Sequence, residues 1–286
     1  MLIDLIAKDI RVKNYDVIII AGQSNAEGNG RHTAEDKEIK NDRVFQLVDA
    51  NPARIFDNDK GETVLDIKMP VETRIEFACE RKCGEEILAD FSETFAAEYI
   101  KGGNLKENRN ILIVKAAVGG AGFAKKQWGV GNPLSDRLFA MVDHALSLNS
   151  ENRIAALLWH QGEHDAFENA DLPADERYTF YYNNFYRQMN AVRERYNKFS
   201  FPIVAGEFVP TWKWGLQNKE KVDAIYRAMR LALDDLGNGG FISSEGLKSN
   251  DEAIGNGDDI HFCAGSIYEL GRRYYRAFSN IKKNES

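Results

Sequence analysis

Short apolar runs punctuate this chain at wide intervals, and between them the apolar positions recur every three or four residues. Tyr15–Ala21, Asn110–Ala116, Arg153–Trp159 and Phe201–Ala205 are nearly continuous in Val, Ile, Leu and Ala. A strand with one wet face would alternate, so these read as strands covered on both faces, the hallmark of a parallel sheet under helices. Phe241–Ser243 is a weaker candidate strand and Arg43–Val48 a further one.

The intervening segments have helical period. Leu138, Met141, Val142 and Ala145 share one face after Asn132-Pro133, an N-cap followed by proline at the first helical position. Tyr178, Tyr182, Phe185, Met189, Val192 and Tyr196 form a second stripe. Val222, Ile225, Tyr226, Met229, Leu233 and Leu236 form a third, and Ile267, Leu270, Tyr274 and Phe278 a fourth. Asp90 and Glu93 resemble a capping box ahead of a helix carrying Phe95 and Tyr99. Strands alternating with helices predict an α/β domain with right-handed crossovers and helices on both faces of the sheet. Residues 1–286 are expected to form one domain. Its irregular part is an elaborated excursion at about 29–110.

Composition narrows the function classes. The 37 basic and 44 acidic residues give a net charge of −7. No basic stripe is present, which argues against nucleic acid or an anionic membrane as partner. No run approaches the roughly 20 apolar residues needed to span a bilayer. Asp4, Lys8, Asp9 and Arg11 interrupt any signal-peptide core, so a cytoplasmic location is expected. Cys79, Cys83 and Cys263 make an odd set that fits a reducing compartment and lacks the second pair of a zinc site.

Ligands of open α/β sheets gather at the carboxyl ends of the strands. There the chain carries Gly22-Gln23-Ser24-Asn25, then Val118-Gly119-Gly120-Ala121-Gly122, then Trp159-His160-Gln161-Gly162-Glu163-His164-Asp165. Asp258-Asp259-Ile260-His261 follows before the last helix. Two phosphate-loop readings fail: Gly22 to Arg31 lacks the Lys-Ser/Thr ending, and Gly28-Asn29-Gly30 lacks a third glycine, because position 33 is Thr33. Ser24 on a strand-to-helix turn would project its hydroxyl at the sheet's rim beside free N–H groups and a helix dipole. An Asp three residues before a His can hold its Nδ1–H and leave Nε2 as base. Taken singly, the Ser24 segment reads first as a plain polar turn, the glycine segment as readily as a flexible turn, and a lone D-x-x-H is a weak signal.

Together, the order and spacing of these blocks resemble the SGNH hydrolases, specifically the carbohydrate acetylesterase branch with a sialate O-acetylesterase-like or acetylxylan esterase-like domain. Gln127-Trp128 is similar to a Glu-Trp of that branch, and Gly271-Arg272-Arg273 to its Gly-Arg-Arg ending. The resemblance runs from about Asp16 to Phe278. The first block departs from the broad family's Gly-Asp-Ser, and Gln161 stands where that family has Asn. The resemblance implies a flavodoxin-like SGNH fold, a three-layer α/β/α sandwich around a central, mainly parallel five-stranded sheet. It implies Ser24 as nucleophile, His261 as base and then acid, and Asp258 orienting His261. Asp259 is the neighbouring competitor, set aside on family spacing alone. The oxyanion hole would comprise the N–H of Ser24, the N–H of Gly120 and the Gln161 amide. Gln23, Asn25, Glu163 and Trp128 would contact substrate or support the site, with no metal or organic cofactor. The implied substrate is an acetylated sugar or oligosaccharide.

Two rivals stand beside this reading. His160-Gln161-Gly162-Glu163-His164 spells the H-x-x-E-H of a zinc metallopeptidase, which needs both histidines on one helical face. A non-catalytic carbohydrate-binding protein on the same fold would use Trp128, Trp212 or Trp214 to stack on sugars.

Overall fold

Tyr15–Ala21 falls in β1 (Asn14–Gly22), where every residue from Tyr15 to Ala21 is fully buried, so both faces of the strand are covered. The computed structural model describes residues 14–58, 60, 62–168 and 171–285. The N-terminal charges read against a leader lie outside the described residues. Among the described residues no helix is long and apolar enough to cross a membrane.

The remaining strands are β2 (Gly30–Arg31), β3 (Val44–Asp49), β4 (Arg54–Asp57), β5 (Thr63–Asp66), β6 (Thr73–Phe77), β7 (Arg81–Cys83), β8 (Glu86–Ala89), β9 (Arg109–Ala117), β10 (Arg153–His160), β11 (Ile203–Gly206) and β12 (Gly239–Ile242). The helices are α1 (Ser24–Glu27), α2 (Ser92–Lys101), α3 (Pro133–Ser147), α4 (Glu163–Glu168), α5 (Ala174–Arg195), α6 (Lys213–Gln217), α7 (Lys219–Leu236), α8 (Asn250–Ile254) and α9 (Ala264–Glu285).

The main sheet has seven strands in the order β12-β11-β10-β1-β9-β3-β6. Every pairing is parallel except β3 with β6. The α/β architecture stands, and the expected count of five strands is corrected to seven. The candidate Arg43–Val48 forms β3. The seventh, β6, is an antiparallel edge strand of mixed charged and apolar residues, so it lacks the continuous run that betrays a central strand. The excursion therefore builds two strands of the main sheet, and also a β4–β5 hairpin and a small β2-β8-β7 sheet.

Helices α2 and α9 pack together through Phe95, Tyr99 and Phe278. Phe139 of α3 meets Tyr196, which caps the C-terminus of α5, and α5 lies along α7. Asn132 stands at the N-cap of α3 as expected, but its amide donates to Trp128 O instead of capping. The capping box expected at Asp90 and Glu93 is also corrected. Asp90 Oδ1 accepts from Ser92 N at 2.6 Å, while neither Glu93 carboxylate oxygen, both buried, has a hydrogen-bond partner among the described residues. Burial pushes the Glu93 carboxyl up to about 8, and nearby Asp90 adds to the shift. A true capping box opens α8, between Ser249 and Glu252.

At the end of the sheet away from the strand carboxyl termini, Asp16 is fully buried. Its Oδ1 accepts from Arg109 Nε at 2.5 Å and Arg153 Nε at 2.8 Å, and its Oδ2 from Tyr99 OH at 2.8 Å. Burial pushes this carboxyl up, but the bonds from Arg153, Arg109 and Tyr99 hold it below the usual carboxylate range. Asp16→Ala leaves Arg109 without its buried counter-charge and is expected to cost about 3–5 kcal/mol. Urea denaturation reads this loss, and a loss below about 1 kcal/mol contradicts the assignment of the network as a folding constraint.

Candidate active site

Three adjacent strands end level with one another. Gly22 pairs with His160 of β10 on one side and Ala117 of β9 on the other. Gly22 sits at φ +139°, and a Cβ there would stand 2.0 Å from His160 O. Only glycine permits that approach. The chain then turns sharply: Gln23 N donates to His160 O at 2.9 Å, and Ser24 opens α1 with 8% of its surface exposed. Helix α1 has four residues, so the dipole expected behind Ser24 is small. What remains is local. The N–H of Ser24 meets no acceptor among the described residues.

The fourth block arrives from the far end of the chain. His261 Nδ1 lies 2.9 Å from both carboxylate oxygens of Asp258. Burial pushes Asp258 up, but bonds from His261 and Asn250 keep it below the usual range, and thus ionised. A carboxylate only accepts, so Nδ1 carries the proton and a neutral ring presents Nε2 as a lone pair. Asp259 takes no part in this contact. Its Oδ2 accepts from Lys213 N at 2.8 Å, where α6 begins.

Asn25 ties this loop to the Ser24 turn. Its Nδ2 donates to Ile260 O at 3.1 Å, and its Oδ1 accepts from Phe262 N at 3.2 Å. The residues on either side of His261 are thus fastened to the residue that follows Ser24. Asn250, which the sequence reading missed, donates to Asp258 Oδ2 at 2.9 Å and to Asn29 O at 2.9 Å. Nothing in its own neighbourhood marked it except the capping box at Ser249.

The glycine loop borders Ser24 from β9. A Cβ on Gly119 would stand 3.5 Å from Ser24 Cβ. Gly119 N is already bonded to Glu27, whereas Gly120, at φ +74°, keeps an N–H with no acceptor among the described residues. Gln161 differs from expectation. It is fully buried, and its Nε2 donates to Asp165 Oδ2 at 2.7 Å and Ala121 O at 3.2 Å. Its Oε1 accepts from Tyr181 OH at 2.9 Å. Both amide hydrogens are committed inside the protein, so Gln161 props the glycine loop through Ala121 instead of offering a donor. Asp165 completes that prop, accepting from Phe123 N at 3.0 Å and Ala124 N at 2.7 Å. Gln23 is oriented from behind, its Oε1 accepting from His164 N at 3.2 Å.

Over residues 14–280 the sequence matches the family described as carbohydrate esterase, sialic acid-specific acetylesterase. The chain belongs to this esterase family. No curated protein matches it. Among solved structures, NanS superposes with a TM-score of 0.69 at 18% identity, covering 95% of this chain and 98% of its own. An Arabidopsis thaliana protein gives 0.63 at 20% identity, covering 92% of this chain and 97% of its own. A carbohydrate acetylesterase from Xanthomonas citri gives 0.59 at 16% identity, covering 94% of this chain and 56% of its own. At these identities the likeness is one of fold.

Two further features of the esterase depart from simple motif reading. His160 is the last residue of β10 and Glu163 the first of α4, so the two histidines of H-x-x-E-H share no helical face and the zinc reading fails on geometry. Trp128 is fully buried, its Nε1 donating to Gly22 O at 3.1 Å. It braces the Ser24 turn and has no face for a sugar; Trp212 is buried as well.

Glu163 and His160 form a buried polar pair behind Asn25. Glu163 Oε1 accepts from Asn25 Nδ2 at 2.9 Å and lies 3.7 Å from His160 Nε2. Tyr274 OH donates to Trp159 O at 2.7 Å, so His160 Nδ1, 3.0 Å away, donates to the Tyr274 oxygen and its Nε2 is bare. Burial lowers His160 to about 3 and raises Glu163 to about 7. The folded state therefore holds a proton on Glu163 that the unfolded chain releases near the ordinary value of 4.5. Stability is present below that value and is lost as pH rises through about 7. Glu163→Gln keeps the oxygen that Asn25 needs and abolishes this titration. Between about pH 5 and pH 8 the wild type is expected to lose more stability than the variant in denaturant titrations. Equal losses contradict the assignment.

Proposed function

We propose that this protein is a serine esterase that removes O-acetyl groups from acetylated sugars or oligosaccharides. The observation that carries the reading is the Asn25 clasp, which fastens both neighbours of an Asp-oriented His261 to the turn bearing Ser24.

Ser24 Oγ attacks the acetyl carbonyl carbon while His261 Nε2 takes its proton. The tetrahedral oxyanion is held by the N–H groups of Ser24 and Gly120, and His261 then protonates the departing sugar oxygen. Water repeats the sequence on acetyl-Ser24 and releases acetate. Asp258 fixes the tautomer and balances the imidazolium. Each oxyanion donor is worth roughly 100- to 1,000-fold in rate. Gln161, Asp165 and Gln23 support the loops that present these donors. The reaction as written needs no cofactor. The three cysteines are free, which fits a reducing compartment and a cytoplasmic setting.

Ser24→Ala is expected to keep its thermal midpoint and lose at least about 1,000-fold in acetate release from acetylated sugars and p-nitrophenyl acetate. Release at the wild-type rate by this variant overturns the proposal.

A further inference from the structure

The excursion reaches the site through Arg81, at the start of β7. Its Nη1 lies 3.4 Å from Glu27 Oε1, its Nε donates to Gly28 O at 2.8 Å and its Nη2 to Asn29 Oδ1 at 2.7 Å. Glu27 ends α1, and its other oxygen, Oε2, accepts from Gly119 N at 2.9 Å. Asn29 Nδ2 in turn donates to Ser24 O at 2.7 Å. One guanidinium therefore grips the Ser24 turn at three points, and one carboxylate joins that turn to the glycine loop.

The arrangement poses an electrostatic problem. Glu27 places a negative charge against Gly119, whose backbone borders Ser24, where the reaction builds a second negative charge. Like charges that close are unfavourable, more so away from bulk water. Arg81 answers it. Its fork matches a carboxylate and two further acceptors at once, which a lysine ammonium does not.

Resting on the esterase reading, we propose that Glu27 and Arg81 are positioning residues for the oxyanion hole. Glu27 holds Gly119 so that the Gly120 N–H faces the acetyl oxygen, and Arg81 cancels the charge that Glu27 would otherwise set against the oxyanion. The excursion is on this account part of the catalytic apparatus.

The test is steady-state hydrolysis of p-nitrophenyl acetate, whose small acyl group reads chemistry apart from sugar binding. Arg81→Ala is expected to lower kcat about tenfold, less than the direct loss of a donor, with KM within about twofold. Glu27→Gln keeps an oxygen for Gly119 and removes the charge. The double variant Arg81→Ala/Glu27→Gln is therefore expected to be at least about threefold faster than Arg81→Ala alone. A brace that acted only by packing predicts no such rescue. Wild-type kcat in Arg81→Ala, or a double variant no faster than the single one, overturns the proposal. Should Arg81→Ala lose its fold, Arg81→Gln carries the same comparison. Ser24→Ala, assayed alongside, separates the two levels. A fully active Ser24→Ala removes the esterase reading itself, whereas a dead Ser24→Ala with an unimpaired Arg81→Ala removes only the brace.

Discussion

Gly22 is paired at once with Ala117 and His160, and this double pairing sets the level at which three adjacent strands stop. Three connections then leave the sheet from one plane: the Ser24 turn, the Gly119-Gly120 loop and the Gln161–Asp165 segment. The pairing tolerates no side chain at Gly22, because His160 O occupies the place of its Cβ. Trp128 closes the same point from the other side by donating to Gly22 O. The Ser24 turn, the Gly119-Gly120 loop and the buried Gln161–Asp165 support are thus positioned by the geometry of a parallel sheet.

The fourth contributor is remote in sequence and needs its own fastening. Asn25 supplies it by using every polar atom of one short amide, with Glu163, Ile260 and Phe262 as partners. Asn250 does the same for Asp258, linking it to the segment just beyond α1. Buried amides suit this task. They carry no charge to desolvate, yet they leave a costly orphan if the loop moves away. Behind them, Glu163 Oε2 and His160 Nε2 each lack a hydrogen-bond partner among the described residues.

Much of this was legible in the sequence. The strands β1, β9, β10 and β11 announced themselves because burial on both faces demands unbroken apolar runs. The helices α3, α5, α7 and α9 did so through their stripes. The blocks around Ser24 and His261 were legible because each follows a strand or precedes a helix at the rim where ligands collect. The edge strand β6 was not, since half-wet edges mix charged and apolar residues. Gln161 was misjudged for a different reason. Its amide has the right chemistry for an oxyanion donor, and only the positions of Asp165 and Ala121 reveal that both hydrogens are already engaged. Asp258 and Asp259 are indistinguishable as neighbours in a string, and Lys213 N separates them in space. Arg81 was invisible because an arginine in an irregular segment carries no pattern of its own.

The central claim is that one serine, among all those in the chain, is made nucleophilic by its surroundings. Incubation of the native protein with a fluorophosphonate, followed by peptide mass mapping, tests it directly, because an unactivated hydroxyl does not react at a useful rate. The account predicts one adduct per chain, on the peptide containing Ser24, formed in step with loss of activity. An adduct on a different residue, or esterase activity that survives with Ser24 fully modified, contradicts it.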